Sequence, residues 1–385
     1  MKVTRAEQRQ IDPALMCAEL VQRNFDLFTG VPDSLLSDFS ACASNPDGPF
    51  RNITTANEGN AIALAAGYHL SSGHFGVAYF QNSGIGNAVN PLLSLTDKEV
   101  YAIPMLLIIG WRGEPGKPDE PQHVTQGELT LPLLETMDIP YQILGETPDG
   151  STYSLEAQLD WCTKTATEKS SPVALVVKKG SFSPFPFSTA KENLPLTRED
   201  ALEVILDNIS QDDLVVATTG KTARELFELR KLRCEGHDCD FLTVGSMGHT
   251  ASIALGMSLG TNKAVYCIDG DGSFLMHMGS LATIPPIAGD NFKYIINNNG
   301  AHESVGGQAT VAREINIAAV LTGLGFTQVF TTQTQEQISD ALAIMKTSGK
   351  CALIINTRQG SRPDLGRPTQ SPVQNKQNLM ENIKD

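Results

Sequence analysis

Two short stretches carry the residue types needed to hold a metal ion and a phosphate together. Gly270-Asp271-Gly272-Ser273 follows the apolar run AVYCI, Asn297-Asn298-Asn299-Gly300 follows the apolar run FKYII, and 24 residues separate Gly272 from Asn297. A strand that ends in Gly-Asp-Gly lets the backbone approach a phosphate. The helix after it offers unpaired N–H groups and the positive end of its dipole. Asp271 contributes a carboxylate oxygen and Asn298 an amide oxygen, hard ligands of the kind magnesium takes when phosphate oxygens complete its shell. Each stretch alone is ordinary turn chemistry. Together, on successive strand–helix units, they read as a metal–diphosphate clamp.

Other segments bear on the same reading. Thr219-Gly220-Lys221-Thr222 follows an apolar run and opens a helical pattern, so its backbone and hydroxyls suit a diphosphate. It is not a Walker loop, because Val215 stands where that motif needs glycine. LAAGYHLSSG lacks GxGxxG spacing, which weakens the rival reading of the chain as a nucleotide-binding α/β module. Cys234, His237 and Cys239 crowd into one loop without a fourth ligand and read as surface rather than as a zinc site.

The GDG and NN pair at this spacing resembles the signature of thiamine diphosphate enzymes. The resemblance implies that Asp271, the Asn298 side chain and the Gly300 carbonyl bind Mg2+, with Gly270, Gly272 and Ser273 beside the diphosphate. It implies that Gly220, Lys221, Thr222 and Ser246 complete the cofactor walls and that Met247 presses beneath the cofactor. It also gives Glu58, in NITTANEGNAIALAAGYHL, the catalytic place beside the aminopyrimidine ring. Without the clamp, Glu58 would be only a first-turn glutamate favoured by a helix dipole.

The chain is too short for the middle domain of the larger thiamine diphosphate decarboxylases. It resembles the two-domain decarboxylases that act on phosphonopyruvate or sulfopyruvate, through TGVPDSLL, TTANEGNAIALAAGYHL, PQHVTQG, TTGKTARELF, VGSMGHTASIALG, NNNGAHESVGGQ and RPDLGRP. AHESVGGQAT looks most like the phosphonopyruvate enzymes, where the usual form is close to AHDSVGGQPT. Glu303 and Ala309 depart from it, and fine specificity stays open between the two substrates. The implied reaction converts 3-phosphonopyruvate to phosphonoacetaldehyde and CO2, a step of phosphonate biosynthesis, with thiamine diphosphate as electron sink. Burying a substrate anion demands paired donors, for which His123, Lys221 and His302 are the candidates, with Asp33 and Ser34 of the GVPDS loop shaping the substrate site and His123 and His302 also candidates as catalytic groups. Either histidine serves equally well as a structural hydrogen-bond partner. Family resemblance further implies a homodimer or larger assembly, with Glu58 of one chain meeting Asp271 of another.

The elements that must position these residues follow from short apolar runs alternating with longer helical patterns, the mark of α/β domains with largely parallel, doubly covered sheets. Strands are expected at Leu27–Gly30, Phe75–Phe80, Pro104–Gly110 and Val173–Val177, then at Leu214–Ala217, Val265–Ile268, Lys293–Ile296 and Ala352–Ile355. Helices are expected after Glu7, Glu58 and Asn87, then after Lys221, His249, Ser273 and Thr334. The Pro- and Ser-rich stretch GSFSPFPFSTAKENLPLT interrupts the pattern. It suggests a linker over 183–197, and the resemblance makes 1–182 the pyrimidine-binding domain and 198–385 the diphosphate-binding domain, with the polar tail after Pro372 a surface or docking segment. In 385 residues the net charge is −14, which argues against nucleic acid or anionic membranes as partners; the resemblance implies a small 2-oxo acid instead. Seven scattered cysteines and a polar amino-terminal stretch point to the cytoplasm.

Overall fold

Each run expected as a strand lies inside one of two all-parallel sheets. The computed structural model describes residues 10–147, 153–186 and 192–384. The chain divides into two units, Met1–Ser188 and Thr189–Asp385. The first contains β1 (Phe25–Gly30), β2 (Arg51–Thr54), β3 (Phe75–Gln81), β4 (Met105–Gly110), β5 (Tyr141–Ile143) and β6 (Val173–Val177), in the order β2-β1-β3-β4-β6-β5. The second contains β7 (Leu214–Ala217), β8 (Asp240–Leu242), β9 (Val265–Gly270), β10 (Phe292–Asn298), β11 (Gln328–Thr332) and β12 (Cys351–Asn356), in the order β8-β7-β9-β10-β12-β11. Counted within each unit, the two orders are the same. Every pairing is parallel.

A parallel sheet must be covered on both faces, because its crossovers run over both. β4 shows how the sequence meets this demand. Its six residues, MLLIIG, are all buried. Leu106 and Ile108 pack with Phe28, Phe39 and Tyr79 on one face, while Met105, Leu107 and Ile109 join Ile62, Ala78 and Phe80 on the other. β12 repeats this, Leu353 and Ile355 facing one core and Ala352 and Ile354 the other. Among the described residues no helix is long and apolar enough to cross a membrane.

Local signals set the helix starts that matter for the site. Glu58–Ser72 begins where the Asn57 side chain accepts the Asn60 N–H, and it ends at left-handed Gly73. This helix contains Gly67 of LAAGYHLSSG, so that stretch is no glycine loop at a strand end. Arg198–Asn208 opens on a capping box between Thr197 and Asp200. Of the segment expected as linker, Phe182 just before it bridges to Ile11 in the first unit, and residues 187–191 lie outside the described residues. His237 stacks on Phe227 with centroids 4.0 Å apart, Cys239 is buried and Cys234 exposed; among the described residues no trio of metal-ligating side chains gathers there.

The tail after Pro372 forms the helix Pro372–Lys384 and has a structural task. β8 is an edge strand, and its outer backbone groups need partners. The buried side chain of Asn375 supplies both: its Oδ1 accepts the Leu242 N–H at 3.1 Å, and its Nδ2 donates to the Asp240 carbonyl at 2.8 Å. Asn375→Ala would leave two buried backbone groups unpaired at about 1–3 kcal/mol each. We expect a lowered urea midpoint with an unchanged slope, and Asn375→Asp, which sets a carboxylate oxygen against the Asp240 carbonyl, to do no better.

Candidate functional site

In open parallel sheets, ligands bind beyond the carboxyl ends of the strands where the order reverses. In the second unit that point lies between β7 and β9, and Gly270-Asp271 occupies it. Asp271 opens the helix Asp271–Met276 and is 3% exposed. Its Oδ2 accepts a hydrogen bond from Thr310 Oγ1 at 2.5 Å, and among the described residues no cationic side chain forms an ion pair with it. Burial pushes its carboxyl up to about 6. Asp269, two residues earlier in β9, is also raised by burial and accepts the Tyr294 hydroxyl at 3.0 Å.

The two asparagines that end β10 are held differently. Asn297 Oδ1 accepts the Thr357 hydroxyl at 2.7 Å, which ties this residue into the core. Asn298 Nδ2 donates to Asn356 Oδ1 at 3.3 Å, and Arg313 donates to that same oxygen at 2.6 Å. The nitrogen side of the Asn298 amide is thereby engaged, and Oδ1 faces the turn, accepting the Gly300 N–H at 3.2 Å. Gly300 takes φ +68°, and its carbonyl accepts the Thr310 N–H at 2.9 Å with a second lone pair remaining. Thr310 therefore reaches both Asp271 and Gly300. One carboxylate, one amide oxygen and one carbonyl form an all-oxygen set, which fits magnesium completed by phosphate oxygens.

The surrounding walls come from two turns. After β7, Gly220 adopts φ +95° and Lys221–Leu232 begins. Left-handed Gly245, Ser246 and Gly248 follow β8, an accumulation of unusual backbone of the kind found at functional sites. The Gly245 N–H donates to Thr219 Oγ1 at 3.0 Å and the Gly248 N–H to Ser273 Oγ at 3.1 Å, so this loop is pinned to both phosphate-type turns. A Cβ at Gly272 would stand 3.0 Å from His302 Nδ1 and 3.1 Å from Met247 Cε. Those three residues thus meet. His302 is pushed down to about 4 by burial, so its ring is neutral at pH 7.

Lys221 is already engaged. Its ammonium lies 3.2 Å from Glu303 Oε1 and its N–H donates to Ser304 Oγ at 3.3 Å. Glu303 also accepts from Arg198 at 2.8 Å, Asn299 at 2.7 Å and the Gly360 N–H at 3.1 Å. Burial alone would raise this carboxyl, but Arg198 and Lys221 outweigh it and hold it below its ordinary value. Thr222 is buried in the first turn of the same helix.

The first unit gathers its candidates at the carboxyl ends of β1, β3 and β4 and at the helix after β2. Glu58 is 5% exposed and its carboxyl is raised by burial, with Asn87 Nδ2 donating to Oε2 at 2.7 Å. Gly84 makes the room, since a Cβ there would fall 2.3 Å from Glu58 Oε1. Asp33 is wholly buried and raised by that burial, and it accepts Gln81 Nε2 at 2.5 Å and the Leu35 N–H at 3.1 Å. Ser34 Oγ accepts Arg112 at 3.0 Å. His123 is 7% exposed, its pKa is lowered by burial, and its Nδ1 has no hydrogen-bond partner among the described residues.

Sequence reasoning did not single out Arg112, Asp119, Gln81, Thr310, Asn356 or the several partners of Glu303. A signal for Arg112 existed: it is a lone cation two residues beyond the fully buried run MLLIIG, at the strand end where ligands bind. Thr310 and Asn356 offered none, being ordinary polar residues distant in sequence from the groups they orient.

Comparison with known proteins agrees with this geometry. Residues 218–355 match the thiamine pyrophosphate enzyme C-terminal TPP binding domain, and residues 14–133 the corresponding N-terminal TPP binding domain. A phosphonopyruvate decarboxylase of Streptomyces hygroscopicus is 35% identical over 374 residues, covering 93% of this chain and 90% of that protein. One from Streptomyces viridochromogenes is 34% identical over 382 residues, covering 94% and 93%. A sulfopyruvate decarboxylase of Methanosarcina acetivorans is 28% identical over 329 residues, covering 79% and 81%. The chain belongs to the thiamine diphosphate-dependent decarboxylases, in the family that holds the phosphonopyruvate decarboxylases and their sulfopyruvate-named relatives.

Proposed function

We propose that the protein decarboxylates 3-phosphonopyruvate to phosphonoacetaldehyde and CO2, using thiamine diphosphate and Mg2+. The observation that carries this is the buried Asp271 carboxyl beside the Asn298 amide oxygen and the Gly300 carbonyl, a hard-oxygen cradle in which Asp271 forms no ion pair among the described residues and Arg313 acts on it only from a distance. Near-full-length similarity to two phosphonopyruvate decarboxylases supplies the substrate. In this reading Asp271, Asn298 and Gly300 bind the metal. Gly220, Lys221 and Thr222 line the diphosphate together with Ser246, Gly270, Gly272 and Ser273, and Met247 supports the cofactor from below. When bound, thiamine diphosphate supplies the electron sink for the pair released as CO2 departs. Glu58, buried and anchored by Asn87, holds the proton that the aminopyrimidine ring exchanges. His123, His302, Asp33, Ser34 and Lys221 surround the substrate, with Lys221 sharing its charge with Glu303. The first unit serves as the pyrimidine-binding domain and the second as the diphosphate-binding domain, joined by a linker within 183–197. Seven unpaired cysteines suit a reducing cytoplasm.

The first test follows CO2 release from phosphonopyruvate and from sulfopyruvate. Phosphonopyruvate should be the preferred substrate, and Glu58→Gln should lower kcat by about 100-fold or more while thiamine diphosphate still binds. Turnover of sulfopyruvate alone would move the assignment to that substrate.

We also propose a homodimer or larger assembly whose sites pair Glu58 of one chain with Asp271 of another. Mixing inactive Glu58→Gln and Asp271→Asn proteins under conditions that exchange subunits should restore about a quarter of wild-type activity, since half of the reassorted dimers are mixed and each holds one intact site. Sites built within one chain would recover nothing.

A further inference from the structure

Arg112 stands out in the first unit for the amount of structure devoted to holding it. Its Nε and one terminal nitrogen donate to the two Asp119 oxygens at 2.8 and 2.5 Å, and NH1 donates to Ser34 Oγ at 3.0 Å. Its own backbone is clamped by Asn82, whose Oδ1 accepts the Arg112 N–H at 3.1 Å and whose Nδ2 donates to the Arg112 carbonyl at 2.8 Å. The Asp119 carboxylate is fixed in turn by the Gly113 and Glu120 N–H groups, both at 2.8 Å. The guanidinium is left 19% exposed and Asp119 15%. A planar fork locked on one edge by a carboxylate presents its remaining edge in a set direction.

That edge meets other groups that want a partner. Ser34 Oγ, which NH1 reaches, has its own proton to donate. His123 lies close enough for Arg112 and Asp119 to act on its charge, with Gln126 beside its ring, and its buried Nδ1 meets no hydrogen-bond partner of good geometry among the described residues. An unpaired polar atom at this depth is costly unless a ligand or water completes it. The carboxyl of Asp33, which also faces Arg112, is buried and held by Gln81 and the Leu35 N–H. Guanidinium, hydroxyl and imidazole thus converge from the ends of β1 and β4 and from the helix Pro121–Thr136.

We propose that Arg112 is the specificity-determining residue of the substrate site, receiving the tetrahedral phosphonate or sulfonate of the 2-oxo acid with Ser34 and His123, and that Asp119 is its positioning residue. This rests on the decarboxylase reading above and names the group that reads the substrate's anionic end. A 2-oxo acid without that end, such as pyruvate, forfeits these contacts.

Calorimetry with phosphonoacetate and sulfoacetate, unreactive carriers of the two head groups, on the thiamine diphosphate- and Mg2+-loaded enzyme tests the subsite apart from turnover. Wild type should bind at least one of them. Arg112→Gln should weaken that binding about 100-fold, and Arg112→Lys, which loses the fork, about tenfold. Thiamine diphosphate affinity should be unchanged in both, and KM for phosphonopyruvate should rise with little change in kcat. Asp119→Asn should give an intermediate KM rise that a merely structural ion pair would not produce. Should Arg112→Gln fail to fold, Ser34→Ala removes a single hydroxyl and should still weaken analogue binding several-fold. Wild-type affinity retained in folded Arg112→Gln, or in Ser34→Ala where the former does not fold, overturns the proposal, as does a wild-type enzyme that binds neither analogue. Analogue binding that depends on Arg112, without CO2 release from either oxo acid, supports the subsite and removes the decarboxylase reading instead.

Discussion

A carboxyl group taken out of water, with no ion pair among the described residues and only the more distant charge of Arg313 to offset its burial, is the constraint around which the second unit is arranged. Asp271 sits where the strand order reverses, with its carboxyl pushed up to about 6 by burial and steadied by one hydroxyl. Such a group is unfavourable in its charged form until a positive charge arrives. The residues around it present further oxygens. Asn356 and Arg313 turn the Asn298 amide so that oxygen faces inward, and Gly300 curls through left-handed space to bring its carbonyl alongside. Orientation by outer residues of this kind fixes the ligands of a metal site before the metal binds.

Glu58 is the counterpart in the first unit, but its burial serves a different end. Asn87 donates to one oxygen, and Gly84 leaves space at the other that any side chain would fill. The carboxyl is raised without a charge partner, which suits a group that must hold a proton and give it up rather than bind a metal. Two buried acids thus differ in their neighbours: a set of oxygens in one case, an amide and an open side in the other.

How far this was legible in the sequence depends on where each residue's partners lie. All eight expected strands exist, and the four that went unforeseen, β2, β5, β8 and β11, are the edges of the two sheets. Central strands are covered on both faces and read as unbroken apolar runs. Edge strands are short and partly exposed, so β2 (RNIT) and β11 (QVFTT) carry no such run. The site divides in the same manner. Asp271, Asn298 and Glu58 stand in contiguous motifs whose spacing reflects strand–helix geometry. Thr310, Asn356 and Asp119 act through side-chain contacts set by loop conformation, which local pattern does not encode. Asn375 is a further instance, a polar residue in a polar tail whose amide completes a strand more than a hundred residues away.

Both units wind their strands in one order, so each residue near the end of a strand has a topological counterpart in the other sheet. The turn at Asp33 and Ser34 after β1 corresponds to the turn at Gly220 after β7. Arg112, two residues beyond β4, corresponds to Gly300, two residues beyond β10. One scaffold therefore carries different chemistry at equivalent strand ends: a guanidinium held by a carboxylate beyond β4 in one unit, and a left-handed glycine carbonyl beyond β10 in the other. Two sheets of one order can differ in charge at their carboxyl ends while keeping the same strand framework, because the charged residues sit past the strand ends, outside the apolar runs that build the central strands.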